Sequence, residues 1–185
     1  SGHPASMVQE LDDSFDALIF IGYHSRAGCG GNPLAHTMSS SKVERLWIND
    51  RETSEFLLFG YWAAALKVPI ALVTGDEALT REVQELNPRI STVAVKTGFG
   101  DSTVNLHPAE AREQIQVAAQ AAVSGNLKDC LLELPSTFKL RLRFVNQKDA
   151  YRASYFPRCE LIDDKTISFN TKSYFEVLRL VLFVI

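Results

Sequence analysis

The stretch Pro69–Leu86, PIALVTGDEALTREVQEL, decides the fold. Its first half is an unbroken apolar run closed by Gly75-Asp76, the pattern of a strand buried on both faces. Its second half changes period. Asp76 stands where a helix cap belongs, acids follow early, and Leu79, Val83 and Leu86 fall on one face. A buried strand leading directly into a surface helix is one step of an α/β repeat.

Further steps lie on either side. DALIFIG (16–22) and ISTVAVK (90–96) read as two more strands, and PAEAREQIQVAAQAAVSGN (108–126) as a helix with Pro108 at its start and Gly125 just past its end. KVERLWIND (42–50) alternates at Val43, Arg45 and Trp47 before turning at Asn49-Asp50. Residues 53–67 are apolar nearly all round, which suits a helix buried on more than one side. The expectation is an α/β fold with a mainly parallel sheet flanked by helices. After about Asn126 the character changes: FKLRLRFV (138–145) alternates strictly, and ELIDDKTISFN reads as a hairpin turning at Asp163-Asp164-Lys165. Two units are expected, an α/β metal-binding domain over 1–126 and a smaller α+β lobe over 127–185.

Composition narrows the function. With 185 residues, 46% of them hydrophobic, the chain can bury a real core. A net charge of -3 with scattered Lys and Arg gives no footprint for nucleic acid. Three widely spaced cysteines, Cys29, Cys130 and Cys159, favour neither a disulfide scaffold nor a zinc ribbon, and fit a reducing cytoplasm. The apolar tail VLRLVLFVI is broken by Arg179 and too short for a bilayer, so no membrane span is expected. The chain opens without an initiator Met and stops on Ile185 in mid-pattern, so it reads as a fragment.

Candidate chemistry gathers in GYHSRAGCGGNPLAHTM (22–38), which holds two of the four histidines. Ligands in open α/β sheets sit beyond the carboxyl ends of the strands. His24 directly follows the 16–22 strand, and Glu55 follows the 42–48 strand. If those strands are neighbours, the two side chains converge, and an imidazole with a carboxylate suits zinc. Each also has a structural reading: His24 as a hydrogen-bonded loop residue, Glu55 as a complement to a helix dipole, His36 as a loop-packing residue. His107 reads as a cap or surface residue and His3 as terminal. GCGG (28–31) lacks the spacing of a phosphate loop. Cys29 with His36 and Asp50 offers a distant thiol-hydrolase alternative, and Cys29 reads equally as a passive small residue in a Gly-rich loop.

MVQELDDSFDALIFIGYHSRAG, then LAHTM, LWINDRETSE, VPIALVTGD and TVAVKTGFG resemble, in order and spacing, the zinc-dependent D-aminopeptidase family over about Met7 to Val123. The last sixty or so residues resemble the family's second lobe only loosely. The resemblance implies a peptidase that removes N-terminal D-amino acids from short peptides with a pair of zinc ions, and that assembles into a homo-oligomeric ring. It places metal ligands on His24 and Glu55 and the catalytic His on His36, at the end of a loop one residue longer than the family form. The family's Asp-x-Glu-Gly metal motif and a further His ligand do not occur here, so an upstream segment is expected to supply them. The competing expectation is a non-catalytic binding or assembly domain.

Overall fold

The computed structural model describes residues 2–185. Four strands form the first sheet: β1 (Leu18–Tyr23), β4 (Ile70–Asp76), β5 (Ser91–Phe99) and β6 (Ser102–Asn105). The first three pair in parallel, and β6 closes the edge antiparallel to β5 through the turn at Gly100. Every residue of β4 is buried, as its apolar run requires. Helices α2 (Glu77–Leu86) and α3 (Pro108–Ser124) pack on β4 and β5. Asp76 caps α2 by accepting from Leu79 N at 2.8 Å, and His107 caps α3 by accepting from Ala109 N.

The second sheet has the order β3 (Arg51–Glu52), β2 (Val43–Ile48), β7 (Phe138–Phe144), β9 (Thr166–Thr171) and β8 (Cys159–Asp163), and every pairing in it is antiparallel. The strands at 16–22 and 42–48, whose adjacency was one condition for bringing His24 and Glu55 together, are not neighbours: β1 pairs with β4, while β2 joins the second sheet. The Asn49-Asp50 turn commits β2 to an antiparallel hairpin with β3. Both residues take positive φ, 50° and 66°, the geometry of a two-residue hairpin whose twist matches antiparallel strands. β2 and β3 precede residue 126 and β7 follows it, so this sheet draws on both parts of the chain.

Helix α1 (Glu55–Ala65) packs against β1 on one side and α5 (Tyr174–Val184) on another. Its Phe56 meets Phe20 of β1 edge-on at 5.5 Å between ring centroids, and α5 sends the Tyr174 hydroxyl to Leu58 O at 2.5 Å. Contact on both sides explains its apolar circumference. The short α4 (Gln147–Ala153) covers β7 and β9, and one continuous apolar core runs from Phe20 through Phe56 and Leu58 to Phe144 and Phe169. Among the described residues no helix is long and apolar enough to cross a membrane. Cys29, Cys130 and Cys159 are all free thiols.

Candidate metal centre

The site is assembled where β1 ends. Gly22 N donates to Thr74 Oγ1 at 2.9 Å, which locks the end of β1 to β4. The next contact is closer still: a Cβ on Gly75 would lie 2.2 Å from Tyr23 O, so only glycine lets the strands meet at the residue preceding His24.

From His24 the chain makes a long excursion and returns. Thr37, fully buried, ends it: its hydroxyl accepts from Ala27 N at 3.1 Å and donates to Thr53 O at 3.0 Å. One side chain thus ties both arms of the loop to the segment entering α1. There Ser54 caps the helix by accepting from Leu57 N, and Glu55 occupies the first helical position.

His24, His36 and Glu55 come together, with one potential ligand atom from each and all three within 4.8 Å of one another. The two imidazoles face each other at 4.3 Å between centroids and 32° between planes, and His36 Nε2 lies 3.6 Å from Glu55 Oε1. Two ligands of one tetrahedral zinc at about 2.0–2.2 Å stand about 3.3–3.6 Å apart. The His36–Glu55 separation already has that value.

Hydrogen bonding prepares both rings. His24 Nδ1 lies 3.0 Å from Ser25 O, and His36 Nδ1 lies 2.8 Å from Leu34 O. A carbonyl can only accept, so each Nδ1 carries the proton and each Nε2 keeps its lone pair, the arrangement that orients a metal-binding imidazole.

Glu55 is 5% exposed, and its Oε1 accepts from Met38 N at 2.7 Å. Met38 holds a left-handed φ of 64°, which costs about 1–2 kcal/mol; a hydrogen bond to a charged group contributes about 1.5–3 kcal/mol and offsets it. Among the described residues no Lys or Arg pairs with Glu55; Arg26 and Arg45 both pair with Glu52 instead. A buried carboxylate beside two imidazole lone pairs, with no fixed cation, is a site chemically matched to a divalent ion. The negative charge is felt nearby: burial first, and Glu55 second, push the Tyr23 phenol up to about 12.

The remaining candidates lie elsewhere. Asp50 pairs with Arg141 at 2.9 Å on the β2–β3 hairpin, away from any thiol partnership. Cys29 lines a cavity of about 300 Å³ with Arg26, Arg51, Glu52 and Glu82. His3 accepts from Ala5 N in the N-terminal segment. Asp12 of the DDSFD segment caps its own turn through Ser14 N. Sequence reading missed Thr37 and Met38, which act through a hydroxyl and a backbone N–H and leave no signature in residue type.

Comparison with known proteins identifies the family. Residues 1–183 match the D-aminopeptidase family. The chain is 34% identical over 181 residues to the D-aminopeptidase of Bacillus subtilis strain 168, covering 97% of this chain and 65% of that protein. It superposes with a TM-score of 0.89 and 32% identity on a structure described as the Zn-dependent D-aminopeptidase DppA from Bacillus subtilis, a self-compartmentalizing protease, covering 98% of this chain and 66% of that one. The chain thus spans just under two thirds of each relative's length. The family match extends past Val123, through the second sheet, to residue 183.

Proposed function

The chain belongs to the D-aminopeptidase family, and from that premise we propose that it carries the larger part of a zinc-dependent aminopeptidase acting on short peptides with N-terminal D-amino acids, such as D-Ala-containing dipeptides. The observation that carries this reading is the convergence of His24, His36 and buried Glu55, with no basic side chain to neutralise the carboxylate.

In this reading His24 and Glu55 hold zinc and His36 is the catalytic residue. Zinc supplies a Lewis acid that acidifies water and polarises the scissile carbonyl. His36 is suited to proton work because its side chain is 32% exposed while Glu55 is almost sealed. With Nδ1 held by Leu34 O, its Nε2 is the atom that takes a proton and returns it, or steadies developing charge. Glu55, held by Met38 N, stays fixed while His36 works. The proposal extends to a second zinc ion completed by ligands beyond this set, to a homo-oligomeric ring, and to the cytoplasm. Support for assembly comes from the relative described as self-compartmentalizing and from Phe99 and Val104, 81% and 72% exposed on the β5–β6 hairpin. Three free thiols fit a reducing compartment.

The test is zinc content and turnover of the full-length protein on D-Ala-containing dipeptides beside their L counterparts. Zinc binding lost in His24→Ala, with preferential cleavage of the D-peptides, supports the proposal. Metal-free protein that binds such peptides without cleaving them would replace it with a non-catalytic binding domain.

A further inference from the structure

Asp76 does more than a helix cap requires. One oxygen suffices for capping, and Ser or Asn would serve as well. Asp76 uses Oδ1 for Leu79 N, yet it is a fully buried carboxylate with no basic partner among the described residues. Its second oxygen, Oδ2, accepts from Ser25 N at 2.7 Å and from Asn32 Nδ2 at 3.0 Å. Both donors belong to the loop between the two imidazoles.

Each donor leads on to a histidine. Ser25, held by its N–H, presents its carbonyl to His24 Nδ1 at 3.0 Å. Asn32, held by its amide nitrogen, accepts from Leu34 N at 2.9 Å through Oδ1, and Leu34 O meets His36 Nδ1 at 2.8 Å. We infer that Asp76 is a positioning residue for both imidazoles, a single buried carboxylate from which two hydrogen-bonded arms fix the orientation and tautomer of His24 and of His36. The inference rests on the proposed roles of those histidines for its consequence in catalysis, but not for its geometry.

Charge explains why the residue is Asp. An Asn there would keep the cap through its oxygen, but its NH2 would face the Ser25 and Asn32 donors, and three donors cannot bond one another. The carboxylate's burial is made tolerable by three N–H donors and by the N-terminus of α2.

The experiment follows the imidazole nitrogens of the full-length, zinc-free protein by 15N NMR, then zinc affinity against a competing chelator, then turnover. In the wild type both His24 and His36 should show the Nδ1-protonated form. Asp76→Ser keeps a capping oxygen but cannot reach the loop, so both signatures should blur, with zinc affinity and kcat each falling about 10- to 100-fold, the usual cost of losing an outer-shell partner. Asn32→Ala cuts one arm only: His36 should change while His24 keeps its signature. That selective outcome is one a merely stabilising role would not produce, and it stands even if Asp76→Ser fails to fold. Unchanged tautomers in Asn32→Ala, or equal disturbance of both rings, would overturn the inference. If the tautomers respond as expected in a protein that neither binds zinc nor cleaves peptides, the positioning role stands and the proposed function falls.

Discussion

Met38 N donates to Glu55 Oε1 at 2.7 Å, so the carboxylate closest to the imidazoles is held by the backbone of the loop that carries them. A glutamine can keep that bond, since its amide oxygen also accepts. Glu55→Gln should therefore fold with nearly unchanged thermal stability. It is an uncharged and poorer ligand, however, so zinc affinity should drop by at least about tenfold. Competition with a chelator measures it. Wild-type affinity would remove Glu55 from the metal site.

His36 separates two roles. As a proton carrier, His36→Ala should retain zinc and lose about 10²- to 10⁴-fold in kcat. As a third ligand, suggested by its 3.6 Å distance to Glu55, the same variant should lose zinc together with turnover. Metal content of the purified variant, measured beside its rate, decides between them.

Gly75→Ala would set a Cβ 2.2 Å from Tyr23 O, a contact with rigid backbone on the neighbouring strand. Overpacking of this kind costs about 1–3 kcal/mol, and here it also displaces the residue before His24. Urea denaturation should report that loss, and zinc affinity should fall with it. Wild-type stability would show that β1 can retreat freely.

Alkaline pH tests the contact between α1 and α5. Burial, with a smaller contribution from Tyr61, holds the Tyr174 phenol well above its usual value of 10.0. The folded state therefore keeps a proton that the unfolded chain releases. Its contribution is fully present below about pH 10, the unfolded value, and is lost as pH rises toward the higher folded value. Tyr174→Phe should cost about 1 kcal/mol near neutrality through the lost bond to Leu58 O, yet show a shallower decline in stability from about pH 9 to 11. Denaturation midpoints across that range check both.

Much of the fold was legible because burial imposes periods. Residues 70–73 are an unbroken apolar run, and the strand it opens lies inside a sheet; Phe138–Phe144 alternates and has one face covered. The all-round apolarity of α1 announced its two-sided burial. The partner of β2 was harder to read, because chain order set it between two parallel strands while its own alternation and the Asn49-Asp50 turn pointed to a hairpin. At the site, residue type drew attention to His24, His36 and Glu55. The hydrogen bonds that gather them, through Thr37, Met38 and Asp76, depend on which backbone atoms meet after folding, and periodicity carries no record of that.

The pairing of β2 with β7 also sets a schedule. Val43 meets Phe144, about 100 residues later in the chain, and synthesis at about 5–20 residues per second makes that a wait of about 5–20 s. During that interval β1 and β4 can pair as soon as both have emerged, but the hairpin feeding into Glu55 has no sheet to join. The lock between Gly22 and Thr74 can thus form early, whereas the β2–β3 hairpin gains its remaining sheet partners only once β7 has been made.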